Sequence, residues 1–544
     1  MAITRRNFVK LAGIGVASLS LGSLLSACSS SKTLTEGVSV TGNANEVVVS
    51  MTVNSEPAAG FDPLFSWGCG EHVHEPLIQS TLITTDADLN FVNDLATSYK
   101  CSTDGMTWTF HIRDDAYFTD GEQLTARDVA FTINGINNAE AAEADLSMVE
   151  KAVAVDDFTV ELHMTKPFNA LLYTLAVVGI VPEHAYDSAT YGANPIGSGR
   201  YKLEQWDQGQ QVILTANPDY YGEAPSMQRV IVVFMEEDAS LAAANSGEVD
   251  IAYTAATMAD STPDQYELFN CKSVDSRGVS FPSVPAGGTK KDGVNDYALG
   301  NDVTQDLALR RAMNYAVDRE TMIDNVLSGY GTAAYSVSDG TPWASDDMKV
   351  ETDADYARTL LEQDGWMPGE DGVLVKEGLR ASFDLYYSSN DSVRQALAAE
   401  FSNQMAEFGI EVNIHGAGWD ELYPREFSDP ILWGWGSNSP TEMYNLLYSR
   451  GVGNYASYEN ATVDAHMDAA LAKTAVEDSY DEWKLAQWDG SEGVAPQGAA
   501  TWVWLANVDH LYFKRSSLNV AEQKPHPHGY GWSLVNNVDK WSWD

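Results

Sequence analysis

Apolar positions along the chain follow two rhythms, one of period two and one near 3.6. Residues 46–53 (EVVVSMTV) are almost continuously apolar, which predicts a buried first strand. Residues 107–112 (TWTFHI) alternate as a half-buried strand does, and 160–164, 229–234, 249–252, 380–387 and 410–414 read as further strands. Helical spacing is clearest over 306–327, where Leu309, Ala312, Met313, Ala316, Val317, Met322 and Ile323 recur at three- and four-residue steps and Gly329 supplies a stop. Residues 77–82, 239–248, 356–361, 391–408, 464–473 and 479–488 also read as helices. Another opens at Thr125, which with Asp128 makes a capping-box variant. Strands alternating with helices predict α/β layers. A chain of 544 residues exceeds one ordinary core and predicts two or three domains.

The first residues break this pattern. Thr4-Arg5-Arg6-Asn7-Phe8-Val9-Lys10 resembles a twin-arginine export signal. The apolar run 11–25 that follows is shorter than the roughly 20 residues a spanning helix needs. Leu25-Ser26-Ala27-Cys28 then resembles a bacterial lipobox cut before Cys28. This predicts a signal peptide over 1–27, a lipid anchor on Cys28 and a polar tether over 28–45. Two acyl chains suffice for stable anchoring. No later apolar run reaches spanning length.

Charge and cysteines narrow the function. A net charge of -46 repels phosphates, so nucleic acid is not expected as a partner. It fits an acidic exported surface. Beyond Cys28 the cysteines are Cys69, Cys101 and Cys271; one disulfide is possible, and the sequence does not choose the pair. GxSxG, HExxH, Walker and helix-opening GxGxxG motifs are all missing, so no enzyme and no cofactor are expected. An extracellular hydrolase is the alternative; it would need a catalytic pair with strongly raised pKa values. His72/His74 and His526/His528 are H-x-H pairs, the first beside Cys69, Glu71 and Glu75. Lining one cleft, they would offer neutral imidazoles for nickel or zinc, which makes a metal-specific receptor a further alternative. Two unrelated surface loops is the simpler reading, and no metal site is assigned.

The stretch 433–445 (WGWGSNSPTEMYN) stands out because no charge falls between Asp429 and Glu442. Trp433 and Trp435 have i, i+2 spacing and share one face of an extended segment. They form either a ligand-facing wall or a tryptophan-rich core strand before a turn.

Residues 89–99 (LNFVNDLATSY), 104–113 (DGMTWTFHIR), 118–131 (FTDGEQLTARDVAF), 195–222 (PIGSGRYKLEQWDQGQQVILTANPDYYG) and 309–324 (LRRAMNYAVDRETMID) resemble the family 5 extracellular solute-binding proteins. These are the dipeptide, oligopeptide and nickel receptors of ABC importers. The resemblance spans nearly all of the chain beyond Cys28. It implies an α/β, two-lobed type II periplasmic-binding fold with an extra subdomain on the first lobe. The first lobe would cover 46–280, with the extra subdomain at about 82–195. The second would cover 281–500, and 501–544 would return to the first, with chain crossings at 280–285 and 501–513. Such a protein captures a peptide or metal-chelate solute by hinge closure and delivers it to a membrane permease. It is expected as a monomer.

The resemblance places 433–445 in the second lobe facing the cleft. Trp67, His72, His74, Trp433, Trp435 and Tyr444 are then expected to supply surface to the solute, and Ser437, Asn438 and Glu442 polar contacts. Peptide-binding relatives hold the ligand's ammonium with an aspartate in this segment; here that position falls near Gly436, beside Ser439. An unpaired buried ammonium is costly. A free N-terminus is therefore poorly served unless Glu71, Glu75 or another acid reaches in. Arg200 stands where the family commonly has proline and reads as tolerated, without a functional role. Arg310, Arg311 and Arg319 read as solvated or salt-bridged helix charges.

Overall fold

The apolar run at the start becomes strand Glu46–Thr52, held in parallel register between Arg229–Met235 and Ile251–Thr254. The computed structural model describes residues 45–65, 68–69, 72–139, 142, 144–291 and 295–544, without the side chains of 68, 69, 72 and 73. Cys28, Trp67 and Glu71 lie outside the described residues, as does the side chain of His72.

Glu46–Thr52 is the middle of a seven-stranded sheet. Its order is Tyr201–Asp207, Gln211–Ala216, Arg229–Met235, Glu46–Thr52, Ile251–Thr254, His510–Arg515, Tyr266–Cys271. A second sheet of six strands runs Gly331–Ala333, Trp502–Val508, Ser276–Ser280, Ile431–Trp435, Ser382–Ser388, Glu411–Ala417. Each sheet heads one lobe of a mixed α/β fold. A separate four-stranded antiparallel unit, Ala96–Cys101, Thr107–Ile112, Thr159–Met164, Val149–Asp156, is covered by helix Ala126–Asn138. Its alternating residues Trp108, Phe110, Val160 and Leu162 bury against Val129 and Ile133 of that helix. Thr125 caps the helix: its N–H donates to Asp128 Oδ2 at 2.8 Å and its hydroxyl accepts from Arg127 N.

The chain passes between the two large sheets twice. Strand Tyr266–Cys271 belongs to the first and Ser276–Ser280 to the second, so the outward crossing is residues 272–275, ahead of the expected 280–285. The return crossing is a single residue, Asp509, between Trp502–Val508 and His510–Arg515. Lys272 pairs with Asp509 at 2.7 Å and ties the two crossings together.

Three sequence expectations are corrected. Residues 77–82 are not helical. The carbonyls of Leu77 and Ile78 are taken by the N–H groups of Tyr201 and Gly199, and a side chain at Gly197 would collide with Ile78 O. The helix over 306–327 is two, Leu307–Ala316 and Arg319–Leu327. Gln404 causes the break: its Oε1 accepts from Asp318 N at 2.8 Å and its Nε2 donates to Asp318 O at 3.2 Å, freeing Asp318 to cap the second helix. Arg310 and Arg319 are buried, not solvated. Arg310 donates to Thr304 O and Ala499 O, and Arg319 to Ala334 O, Trp504 O and Asn314 O. Burial pulls both guanidinium groups down to about 10, which leaves them charged at neutral pH. Cys101 and Cys271 are free thiols, and burial pushes both upward in pKa.

Candidate functional site

Strand Ile431–Trp435 brings the neutral stretch to the edge of the space between the lobes, and helix Thr441–Leu447 carries it away. The turn between them roofs a cavity of about 220 Å³. Ser437, Asn438, Glu442 and Tyr444 line it from above. His74 and the C-terminal stretch Lys524 to Pro527 line it from below, and Asp145, Phe168 and Tyr173 of the extra subdomain flank it. All of the cavity's walls therefore come from segments far apart in sequence. Two hydrogen bonds fasten roof to floor: Asn438 Nδ2 donates to Pro525 O at 2.9 Å, and His528 N donates to Gly436 O at 2.7 Å.

The two tryptophans share one face, as their spacing predicts, but that face is the core of the second lobe. Trp433 is 3% and Trp435 8% exposed, and neither lines the cavity. Trp433 stacks on Tyr455 at 4.3 Å, and its indole donates to Ser280 Oγ at 3.0 Å. Packing two large apolar rings into an interior outweighs lining a polar gap. The residue between them matters for the opposite reason. A side chain at Gly434 would collide with His528, Arg277 and Arg394, so the glycine is the space in which those three converge.

Three polar atoms at the cavity are buried without a partner among the described residues: Asn438 Oδ1, His74 Nε2 and Asn536 Oδ1. His74 Nδ1 lies 2.9 Å from Ser533 Oγ. Burial, reinforced by His510 and His528 nearby, pulls this imidazole down to about 3, so it is neutral. Glu442 Oε1 accepts from Gly436 N at 3.1 Å, closing the turn where a relative's aspartate was expected. Acids do reach the cavity: Glu75, Asp145 and Glu442 line it, with Glu75 paired to Lys524.

The histidine pairs do not sit on unrelated surface loops. His74 and His526 line the same cavity and are both buried. Among the described residues, however, no group of three or more His, Cys, Asp or Glu is placed to hold a metal ion. Arg200 also has a task. It pairs with Asp539 at 2.8 Å and lines a second, polar chamber of about 200 Å³ that adjoins the first along Glu75, Thr85 and Lys524. Sequence periodicity missed Asp145 and Lys524 because each lies outside any regular element of the chain.

The family described as bacterial extracellular solute-binding proteins, family 5 middle, matches residues 90–457. Protein XP55 of Streptomyces lividans is 32% identical over 489 residues, covering 86% of this chain and 84% of the relative. The oligopeptide-binding protein AppA of Bacillus subtilis is 28% identical over 479 residues, covering 83% and 86%. Among solved structures, NikZ from Campylobacter jejuni in complex with Ni(L-His) matches with a TM-score of 0.78 at 22% identity, over 92% of this chain and 99% of that one. AppA from Bacillus subtilis in complex with a nonapeptide matches with a TM-score of 0.72 at 23% identity, over 92% and 99%. These two likenesses carry the fold. No helix among the described residues is long and apolar enough to cross a membrane.

Proposed function

The chain belongs to the family 5 bacterial extracellular solute-binding proteins, and from that premise we propose that its cleft captures a short peptide, about two or three residues long. It is the substrate-binding protein of an ABC importer for peptides or metal chelates, works outside the cytoplasm, and is a receptor rather than an enzyme. The observation that carries the peptide reading is the set of three buried atoms without a partner among the described residues, of which Asn536 Oδ1 takes an N–H. Asn438 Oδ1 takes an N–H, and a neutral His74 Nε2 takes an N–H or gives one to a carbonyl. Backbone amides offer both, without charge. Asp145 and Glu442 stand ready for an ammonium, and Phe168, Tyr173 and Tyr444 give the apolar surface typical of such pockets. The volume of about 220 Å³ falls below the roughly 300–1,000 Å³ of drug-sized sites, which favours a compact ligand. His74, Ser437, Asn438, Glu442 and Tyr444 are the contacts assigned to it.

Thermal unfolding with defined dipeptides, tripeptides, a nonapeptide and nickel-histidine tests this. A short peptide at 100 times its Kd is expected to stabilise the protein by about 2.7 kcal/mol. Asn438→Ala is expected to weaken that peptide by about tenfold, the worth of one lost hydrogen bond. Stabilisation by nickel-histidine alone, or unchanged peptide affinity in the variant, would sink the peptide reading.

The lipobox-like Leu25-Ser26-Ala27-Cys28 supports a lipid anchor at Cys28 that keeps the receptor beside its permease. Cys28→Ser is expected to move the protein from the membrane fraction to the soluble extracytoplasmic one. Retention in the membrane fraction would rule the anchor out.

A further inference from the structure

The C-terminal stretch that floors the cleft is fastened through His510 to Asp275 of the outward crossing by a chain of hydrogen bonds, and its hydrogens can be counted from both ends. At one end the indole of Trp541, which only donates, bonds Asn537 Oδ1 at 2.8 Å, while Asn537 Nδ2 donates to Glu522 O. Asn537 Oδ1 is therefore an acceptor, and Gln523 Nε2, 2.9 Å away, donates to it. That orientation turns Gln523 Oε1 toward His526 Nε2 at 3.1 Å, so His526 Nε2 carries a hydrogen. At the other end, Asp275 Oδ2 lies 3.0 Å from His510 Nε2, which must carry a hydrogen as well. Between the two rings, His510 Nδ1 and His526 Nδ1 are 3.1 Å apart, and a bond there needs one hydrogen more. Two neutral imidazoles hold two hydrogens; this chain uses three.

We infer that His510 and His526 share a third proton, and that this proton holds the cleft floor on the interlobe crossing, so that solute capture is linked to pH. The link to capture rests on the cleft being the solute site; the proton count does not.

The surroundings fit. Burial drives His526 well toward its neutral form, and His510 is the ring beside a carboxylate. It faces Asp275, which burial would raise but which Arg277, His528 and His510 hold well below the usual carboxylate range. Arg277 and His528 bind the other oxygen of Asp275. From helix Ser392–Ala406, Arg394 is taken up by Asp391 at 3.0 Å. Tyr530 packs its ring 4.1 Å from that of His510, and Tyr253 packs on Tyr530 in turn; burial pushes both phenols upward, so they stay neutral. His74 is neutral. Asp275 is thus the anion that faces the extra proton.

The sign follows from linkage. A proton held more tightly in the fastened state contributes affinity at low pH and loses it as pH rises. Solute affinity is expected to fall with rising pH, by up to about tenfold per unit for one proton.

Imidazole ¹⁵N NMR of the intact, solute-free protein distinguishes N–H from bare ring nitrogens. Three N–H signals are expected from His510 and His526 at neutral pH, with one lost in a single step as pH rises. Solute Kd should rise through the same step in the wild type and stay flat in His526→Asn. Two N–H signals at neutral pH overturn the shared proton. Three signals with a solute Kd that ignores the step overturn its link to capture. Because the NMR count needs no solute, a failure to bind peptides counts against the proposed function alone.

Discussion

Asp275→Ala is expected to destabilise the protein by about 3–5 kcal/mol, the usual result of breaking a buried ion pair from one side. The variant leaves the guanidinium of Arg277, 1% exposed, without the carboxylate beside it, and removes the acceptor of both His510 and His528. Urea unfolding followed by tryptophan fluorescence measures the loss, and a change below about 1 kcal/mol would mean that water or another acid replaces the carboxylate. The same residue sets an acid limit. Its pKa in the fold is well below 3.8, so its stabilisation is complete above the unfolded value and disappears as pH falls toward the folded one.

Arg319→Ala is expected to have an effect of similar size, about 3–5 kcal/mol. Arg319 stitches three segments: the end of helix Leu307–Ala316 through Asn314 O, the strand Gly331–Ala333 region through Ala334 O, and strand Trp502–Val508 through Trp504 O. Removing the fork strands buried carbonyls as well as packing. Arg319→Lys is expected to recover little of the loss, because an ammonium cannot span the same planar set. A lysine variant as stable as the wild type would show that charge alone, and not the fork, holds these carbonyls.

These two residues also mark where sequence reading stopped. Features decided within a few residues were legible. The Thr125 capping box, the alternating strand Thr107–Ile112 and the glycine-ended helix Glu237–Ser246 all lie where local pattern puts them. The α/β two-sheet architecture was legible too, through the family resemblance. What failed was decided by distant partners. Gln404 breaks a helix that periodicity reads as continuous. The segment 199–201 claims the carbonyls of Leu77 and Ile78. Carbonyl clusters, not solvent, receive Arg310 and Arg319. The i, i+2 rule correctly put Trp433 and Trp435 on one face, but it cannot say which face is core. Asn438, Glu442 and Tyr444 reach the cavity because the turn after Trp435 faces the opposite lobe, whereas His526 reaches it only through the fold of the C-terminal stretch.

The single-residue return at Asp509 delivers strand His510–Arg515 into the first sheet between Ile251–Thr254 and Tyr266–Cys271, which precede it by more than 200 positions. During synthesis those two strands therefore emerge with a vacancy between them, and their unpaired edges persist until nearly the whole chain has been made. The second lobe, whose strands are all present by Val508, can be completed first. The first lobe closes last, when the final stretch docks. Its assembly is dominated by contacts far apart in sequence and is correspondingly slow and exposed to mispairing. A ribosome stalled a few dozen codons early releases a chain with one finished lobe and one open sheet, a form that chaperones and proteases can recognise by its bare strand edges.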